Sequence, residues 1–225
     1  MKFFKIFAFS LIFIACGKLV SGDEETPLLG NPVDPLVQIP GKESPAANQY
    51  CLQNPDGSYS DAVKIEMGSE NNYVWAQGGA CVFRSIRETW AVLHNQPLMV
   101  WDGVTSSSYK LRNDLPEGVA YFYEVKYHVD EIIDVDWMMN WYHTLKLGTK
   151  ETPQELLINY KKVKGTKFIS YWEGTVMLFE VTPSITAVIM RDQIKASRTE
   201  PQDSANAVRD VIQKLRTGAP NWGPL

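Results

Sequence analysis

The sequence predicts an α+β domain, built from a curved antiparallel sheet of about seven strands, two short helices after the first strand, and a long C-terminal helix across the sheet's concave face. Three observations carry that expectation. In VAYFYEVKYHV, Val119, Tyr121, Tyr123, Val125, Tyr127 and Val129 alternate with Glu124, Lys126 and His128, the period of a strand with one face in the core. DVDWMMNWYHTLKLG repeats this, with Val135, Trp137, Met139, Trp141 and Leu145 on one side and Asp136, Asn140 and Thr144 on the other. In PQDSANAVRDVIQKLRTG, Ala205, Val208, Ile212 and Leu215 form a helical stripe. No alternation of strand and helix demands a parallel sheet, and no internal repeat is present.

The chain begins with a basic MKFFK and an apolar IFAFSLIFIA. That run is shorter than the ~20 residues needed to span a bilayer and has the form of a secretory leader, assigned to residues 1–15. Ile14-Ala15-Cys16-Gly17 resembles a bacterial lipobox, with Phe13 in place of the usual Leu. Cys16 would then carry lipid, and Gly17 resembles the residue of lipoproteins sent to an outer membrane. The alternative is plain cleavage near Val20-Ser21-Gly22, leaving a soluble periplasmic or secreted chain. Both readings place the mature chain outside the cytoplasm. Residues 16–48 hold Pro27, Pro32, Pro35, Pro40 and Pro45 without a sustained period, which makes an extended tether.

With Cys16 lipidated or removed, Cys51 and Cys81 remain, and an oxidising compartment favours one disulfide between them. Asn54-Pro55-Asp56-Gly57 is a turn signal, so residues 49–72 are expected to form a hairpin or lid stapled to the main domain, residues 73–218. Asp56, Ser58 and Ser60 have calcium-like spacing but lack a distal carboxylate, and a turn explains them. YVWAQGGACVF is the first strand of that domain, with a weak point or bulge at Gly78-Gly79. Ser85 and Glu88 frame a capping box for IRETWAVLHN. LMVWDGVTSSSYKLRND then runs from a second short helical piece into the next strand. QELLINYKKV, FISYWEGTVMLFEV and ITAVIMRDQI supply further strands, and residues 219–225 a tail.

This order resembles the helix-grip fold of the START and birch-pollen-allergen superfamily, including the polyketide cyclase/dehydrase-like SRPBCC proteins. SIRETWAVLHNQPLMVW resembles its opening helix and IDVDWMMNWYH its central strand. VKGTKFISYWEGTVMLFEVTPSITAVIM is similar to its closing hairpins and DSANAVRDVIQKLR to its gripping helix. The resemblance covers residues 74 to 218 and rests on pattern and order, since the superfamily has no universal catalytic motif. It implies an apolar cavity between sheet and helix that takes a lipid, sterol, polyketide or other hydrophobic small molecule. The expected wall is Tyr123, Tyr127, Trp137, Met139, Trp141 and Trp172, with Val208 and Ile212 from the helix. These side chains also suit a plain packed core.

Composition and motifs narrow the function. The chain is 44% hydrophobic and 21% charged, as folded proteins are, with a net charge of −4 and no basic cluster. Nucleic-acid binding is therefore not expected. No metal-ligand pair, phosphate loop, dinucleotide loop or serine-nucleophile motif occurs, and no cofactor is expected. His94 ends a helix, where a cation is favoured. His128 falls on the solvent face. His143 shares the parity of Trp141 and, with Glu173 in an apolar neighbourhood, is a candidate for acid–base work. Asp192 is another candidate carboxylate, and both it and Glu173 are read first as solvated strand-face charges or partners of Arg191 or a lysine. The leading expectation is non-catalytic binding of a hydrophobic molecule by an envelope-anchored domain. The alternatives are a cyclase- or dehydratase-like enzyme and a cavity-free protein-interaction module.

Overall fold

The computed structural model describes residues 46–95, 100–101, 103–130, 134–197 and 199–223. The leader, Cys16 and almost all of the tether lie outside the described residues. Eight antiparallel strands form one sheet: β1 (Lys64–Glu70), β2 (Tyr73–Val82), β3 (Ser106–Leu111), β4 (Val119–Val129), β5 (Val135–Gly148), β6 (Pro153–Gly165), β7 (Ile169–Thr182) and β8 (Ile185–Ala196). Their order is β1-β2-β8-β7-β6-β5-β4-β3. The helices are α1 (Ala47–Tyr50), α2 (Ile86–Leu93) and α3 (Pro201–Thr217).

Among the described residues the count is eight strands rather than about seven. Lys64–Glu70, assigned by sequence to the hairpin extension, pairs along its whole length with β2. Asn71 and Asn72 both take positive φ in the intervening turn, the backbone that a two-residue hairpin of this twist requires. Among the described residues one helix follows β2, not two. Val100, Trp101 and residues 103–105 have no helical backbone, and residues 96–99 and 102 lie outside the described set.

Each strand sends alternate side chains to one inner and one outer face. The inner face carries Ala76, Tyr123, Val125, Tyr127, Trp137, Met139, Trp141, Ile158, Tyr160, Trp172, Val176, Val188 and Met190, which pack with α2 and α3 in one core. Helix α2 begins with the expected capping box: Ser85 Oγ accepts from the Glu88 N–H, and the Glu88 carboxylate accepts from the Ser85 N–H. Helix α3 opens with Pro201 at its first turn, and Asp203 accepts from the Glu200 N–H. It buries Ala205, Val208, Ile212 and Leu215 as its stripe predicts, together with Ser204 and Val211.

The Gly78-Gly79 pair is not a bulge, since pairing runs through both residues on both sides without a slip. These glycines allow close approach instead. A Cβ on Gly78 would lie 3.0 Å from Val208 of α3, and one on Gly79 2.8 Å from the Tyr50 side chain on the opposite face. Tyr50 packs there with Leu157, Met177 and Ile189. The Tyr50 end of the segment before β1 therefore covers the outer face rather than forming a lid over the inner one, and the segment meets the end of α3 at Asp61. Cys51 and Cys81 are joined by a disulfide across this contact. The 54–58 turn forms as its sequence implies, with Gly57 at φ +86° and the Asp56 carboxylate accepting from Ser58.

Candidate functional site

The inner face is a wall of large rings. Trp141 stacks on Tyr160 at 4.6 Å and on Tyr123 at 5.8 Å, and Tyr127 stacks on Trp137 at 5.2 Å. Trp101, in the connection between α2 and β3, leans over this wall, 5.2 Å from Trp172 and 6.5 Å from Trp141. Strand parity brings together the six β residues expected at a ligand wall, with Val208 and Ile212 opposite them, and all eight are buried in the core. Trp101 and Tyr160 join the ring set and were not expected at the wall from sequence, and Trp90 of α2 and Tyr121 add rings beside His94 and His143. Tyr160 shares the alternation of Leu156 and Ile158, a readable signal, whereas Trp101 sits in an irregular segment that has none.

A half-open pocket of ≈ 390 Å³ lies where this wall reaches the β3 edge, lined by Val100, Val104, Thr105, Ser106, Ser107, Tyr109 and Val125. Val100 and Val104 bracket Trp101 in the chain. Val125 is the neighbour of Tyr127 on the same face of β4, and Ser107 pairs with Tyr127 across the strands. The pocket thus abuts the aromatic wall along its β4 side. Its volume is within the ~300–1,000 Å³ range of small-molecule sites.

Three buried polar groups sit behind the wall. Asp192 is not a solvated charge or a partner of Arg191, as expected from sequence. It lies on the inner face and is 1% exposed. Its carboxylate accepts from Tyr160 Oη at 2.6 Å, Trp172 Nε1 at 2.8 Å and Ser204 Oγ of α3 at 2.7 Å. Burial pushes its pKa up, against the downward pull of those three donors. Arg191 points the other way, where its Nε donates to Gln77, which in turn donates to Tyr50. Gly174 makes room for the Tyr160 hydroxyl, since a Cβ there would overlap it at 2.0 Å.

His94 and His143 form the second group. His143 accepts from Trp90 Nε1 at 2.9 Å, and its ring centroid is 5.4 Å from that of His94. His94 does not behave as a helix-terminal cation. It is 1% exposed between the rings of Trp90, Tyr121 and His143, and burial pulls its pKa down to about 3. His143 is also held well below its ordinary value, by burial first and then by His94. Glu173 does not join His143. It projects from the outer face, where burial raises its pKa and Lys161 at 3.6 Å lowers it. His128 is on that outer face as expected, 3.0 Å from Asp136, whose hydrogen bond raises its pKa.

The third group is a set of donors. The Tyr127 hydroxyl and the indole N–H groups of Trp101, Trp137 and Trp141 are buried, and none closes a hydrogen bond among the described residues. No group of three or more metal-ligating side chains occurs among the described residues, nor any helix long and apolar enough to cross a membrane.

No family model matches the sequence, and no curated protein matches it. Solved structures do resemble it. The lipid transfer and protein localization domain of human StarD13 superposes with a TM-score of 0.50 at 8% identity, covering 70% of this chain and 84% of that one. A STAR-related lipid transfer protein fragment from Xanthomonas axonopodis gives a TM-score of 0.48 at 12% identity over 70% and 93%. The Zhui aromatase/cyclase from Streptomyces sp. R1128 gives 0.38 at 13% over 64% and 86%. The likeness to the StarD13 domain is one of fold. The chain has the START-like helix-grip architecture, an antiparallel sheet with a C-terminal helix against its inner face.

Proposed function

We propose that this chain is exported, anchored to an envelope membrane through lipid on Cys16, and binds or carries a hydrophobic small molecule or lipid against the inner face of its sheet. The observation that carries the reading is the half-open pocket of ≈ 390 Å³ set against the aromatic wall, between the β3–β4 edge and the segment bearing Trp101. Apolar walls with a few directed polar groups suit such ligands, and the chain shares its fold with a lipid transfer domain. Non-catalytic binding is favoured over an acid–base enzyme because His143 and Glu173 occupy opposite faces and cannot meet at one reacting atom.

Native mass spectrometry of the exported protein, followed by organic extraction, tests the reading. A co-purifying apolar molecule is expected, and Val104→Trp, which fills the pocket, should release it while near-ultraviolet circular dichroism is unchanged. A protein that is empty and binds no hydrophobic probe would instead point to a protein-interaction module. Anchoring is tested separately: Cys16→Ala should abolish labelling by radioactive palmitate and move the protein from membrane to soluble fraction. Unchanged fractionation would leave the plain secretory reading.

A further inference from the structure

We infer that the neutral donors behind the pocket select a ligand whose head is an uncharged oxygen acceptor, such as an ester or ketone carbonyl. This rests on the reading that the inner face takes an apolar ligand, and it adds the polar chemistry of that ligand. Tyr127 is 2% exposed, Trp141 0% and Trp101 9%. Their three polar hydrogens lack an acceptor among the described residues. The Trp141 and Trp101 indoles act on the Tyr127 hydroxyl, drawing its pKa back down against the larger upward push of burial, yet neither closes a hydrogen bond to it. Trp137 stacks on the Tyr127 ring with its own Nε1 unpartnered.

Buried donors without acceptors are costly and rare in folded chains. Indole N–H groups only donate, and even where the Tyr127 oxygen draws on the Trp141 and Trp101 indoles, its own O–H and the Trp137 N–H stay unmet. One carbonyl oxygen, with two lone pairs, can accept from two of these donors, the Tyr127 O–H first. The donors do not line the pocket but stand next to residues that do: Val100 and Val104 flank Trp101 in the chain, Val125 adjoins Tyr127 on β4, and Ser107 pairs with Tyr127. A carboxylate head is disfavoured because burying a full charge against neutral donors alone is expensive. Lys162, buried on the same face opposite Met139, is already engaged. An ammonium head would bring further donors to a group that already lacks acceptors.

The test uses the full chain with diphenylhexatriene, a hydrocarbon probe with no acceptor, displaced by methyl oleate, oleate or oleylamine. Methyl oleate should compete at least tenfold better than oleylamine and better than oleate. Tyr127→Phe should weaken methyl oleate about tenfold relative to diphenylhexatriene, the loss of one to two hydrogen bonds. The same variant, freed of a buried unmet hydroxyl, should melt about 2–4 °C higher without ligand, and the gain should shrink when methyl oleate is present. Trp101→Phe provides the same comparison if Tyr127→Phe does not fold. Equal competition by oleylamine, preference for oleate, or unchanged ester affinity in both variants overturns this inference while the apolar site stands. Absence of diphenylhexatriene binding overturns the site itself.

Discussion

Two histidines caged among rings are expected to make this protein lose stability in acid. Neither nitrogen of His94 has a hydrogen-bond partner among the described residues, and the proton has no counter-charge in the cage. Burial, then Lys150, pulls its pKa down to about 3, and His143 is displaced in the same direction. In the unfolded chain both titrate near 6.5. Below that value the unfolded state binds more protons than the folded one, so stability is complete above pH 6.5 and falls as the pH drops. The slope is up to about 1.4 kcal/mol per pH unit for each histidine. Asp192 acts oppositely. Its folded pKa is raised by burial, so just above 3.8 the folded state holds the extra proton and acid favours folding there. Between pH 7 and 5 the histidines should dominate. The melting temperature is expected to fall across that range, and His94→Phe should flatten the decline and raise stability at pH 5. Parallel curves for the two proteins would rule out the caged pair as the cause. Asp192→Ala, at neutral pH, strands the donors of Tyr160, Trp172 and Ser204 and should cost about 3 kcal/mol in chemical denaturation. A loss below ~1 kcal/mol would show that solvent replaces the carboxylate.

At the scale of the element, the seat of α3 on the sheet depends on a missing side chain. Gly78 faces α3, and a Cβ there would stand 3.0 Å from Val208 and 2.7 Å from the Lys64 carbonyl of β1. Gly78→Ala is therefore expected to cost about 1–3 kcal/mol, as overpacking does. Adding Val208→Ala should recover only the helix part, because the contact with the backbone of β1 persists. Fully additive losses in this double-mutant cycle would mean that helix and strand do not compete for that space. How legible each element was follows from its surroundings. Strands β4 and β5 were readable because one face meets the core and the other is largely polar, so the period survives in sequence. Helix α3 was readable for the same reason. Strand β1 was not, because an edge strand with Glu66, Met67, Ser69 and Glu70 exposed carries no buried stripe. The Asn71-Asn72 turn was its available signal. The expected wall residues were legible through parity alone. Asp192 was misread because its three donors come from β6, β7 and α3, which no local pattern places together.

Across the whole molecule, the covalent and polar ties gather at one edge and the pocket lies at the other. On the β1–β2–β8 side, Tyr50 packs on the outer face and the disulfide joins Cys51 to Cys81. The Arg216 guanidinium at the end of α3 donates to the Cys81 carbonyl at 2.9 Å and the Asp61 carbonyl at 2.7 Å. Arg84 donates to Gly218, and Asn221 to His94, fastening the tail to α2. At the other edge, Ser106 to Lys110 of β3 are exposed, and Lys214 ties α3 to the Val100 carbonyl at 2.7 Å. Opening for a ligand is thus expected at β3 and the Trp101 segment while β2, β8 and α3 stay closed. Amide hydrogen exchange should show that gradient, and uniform protection would contradict it. The disulfide sets how firmly the closed side holds. Its cysteines are 30 residues apart, and closing a loop of that size in the unfolded chain corresponds to about 3.5 kcal/mol. Replacing both cysteines by alanine should lower the melting temperature by about 10 °C. The loss should come mainly through faster detachment of the segment before β1, read as accelerated proteolysis between residues 52 and 63, with ligand binding at the far edge retained. Equal loss of ligand binding would mean that the two edges are coupled through α3, and that the staple holds the pocket as well as the fold.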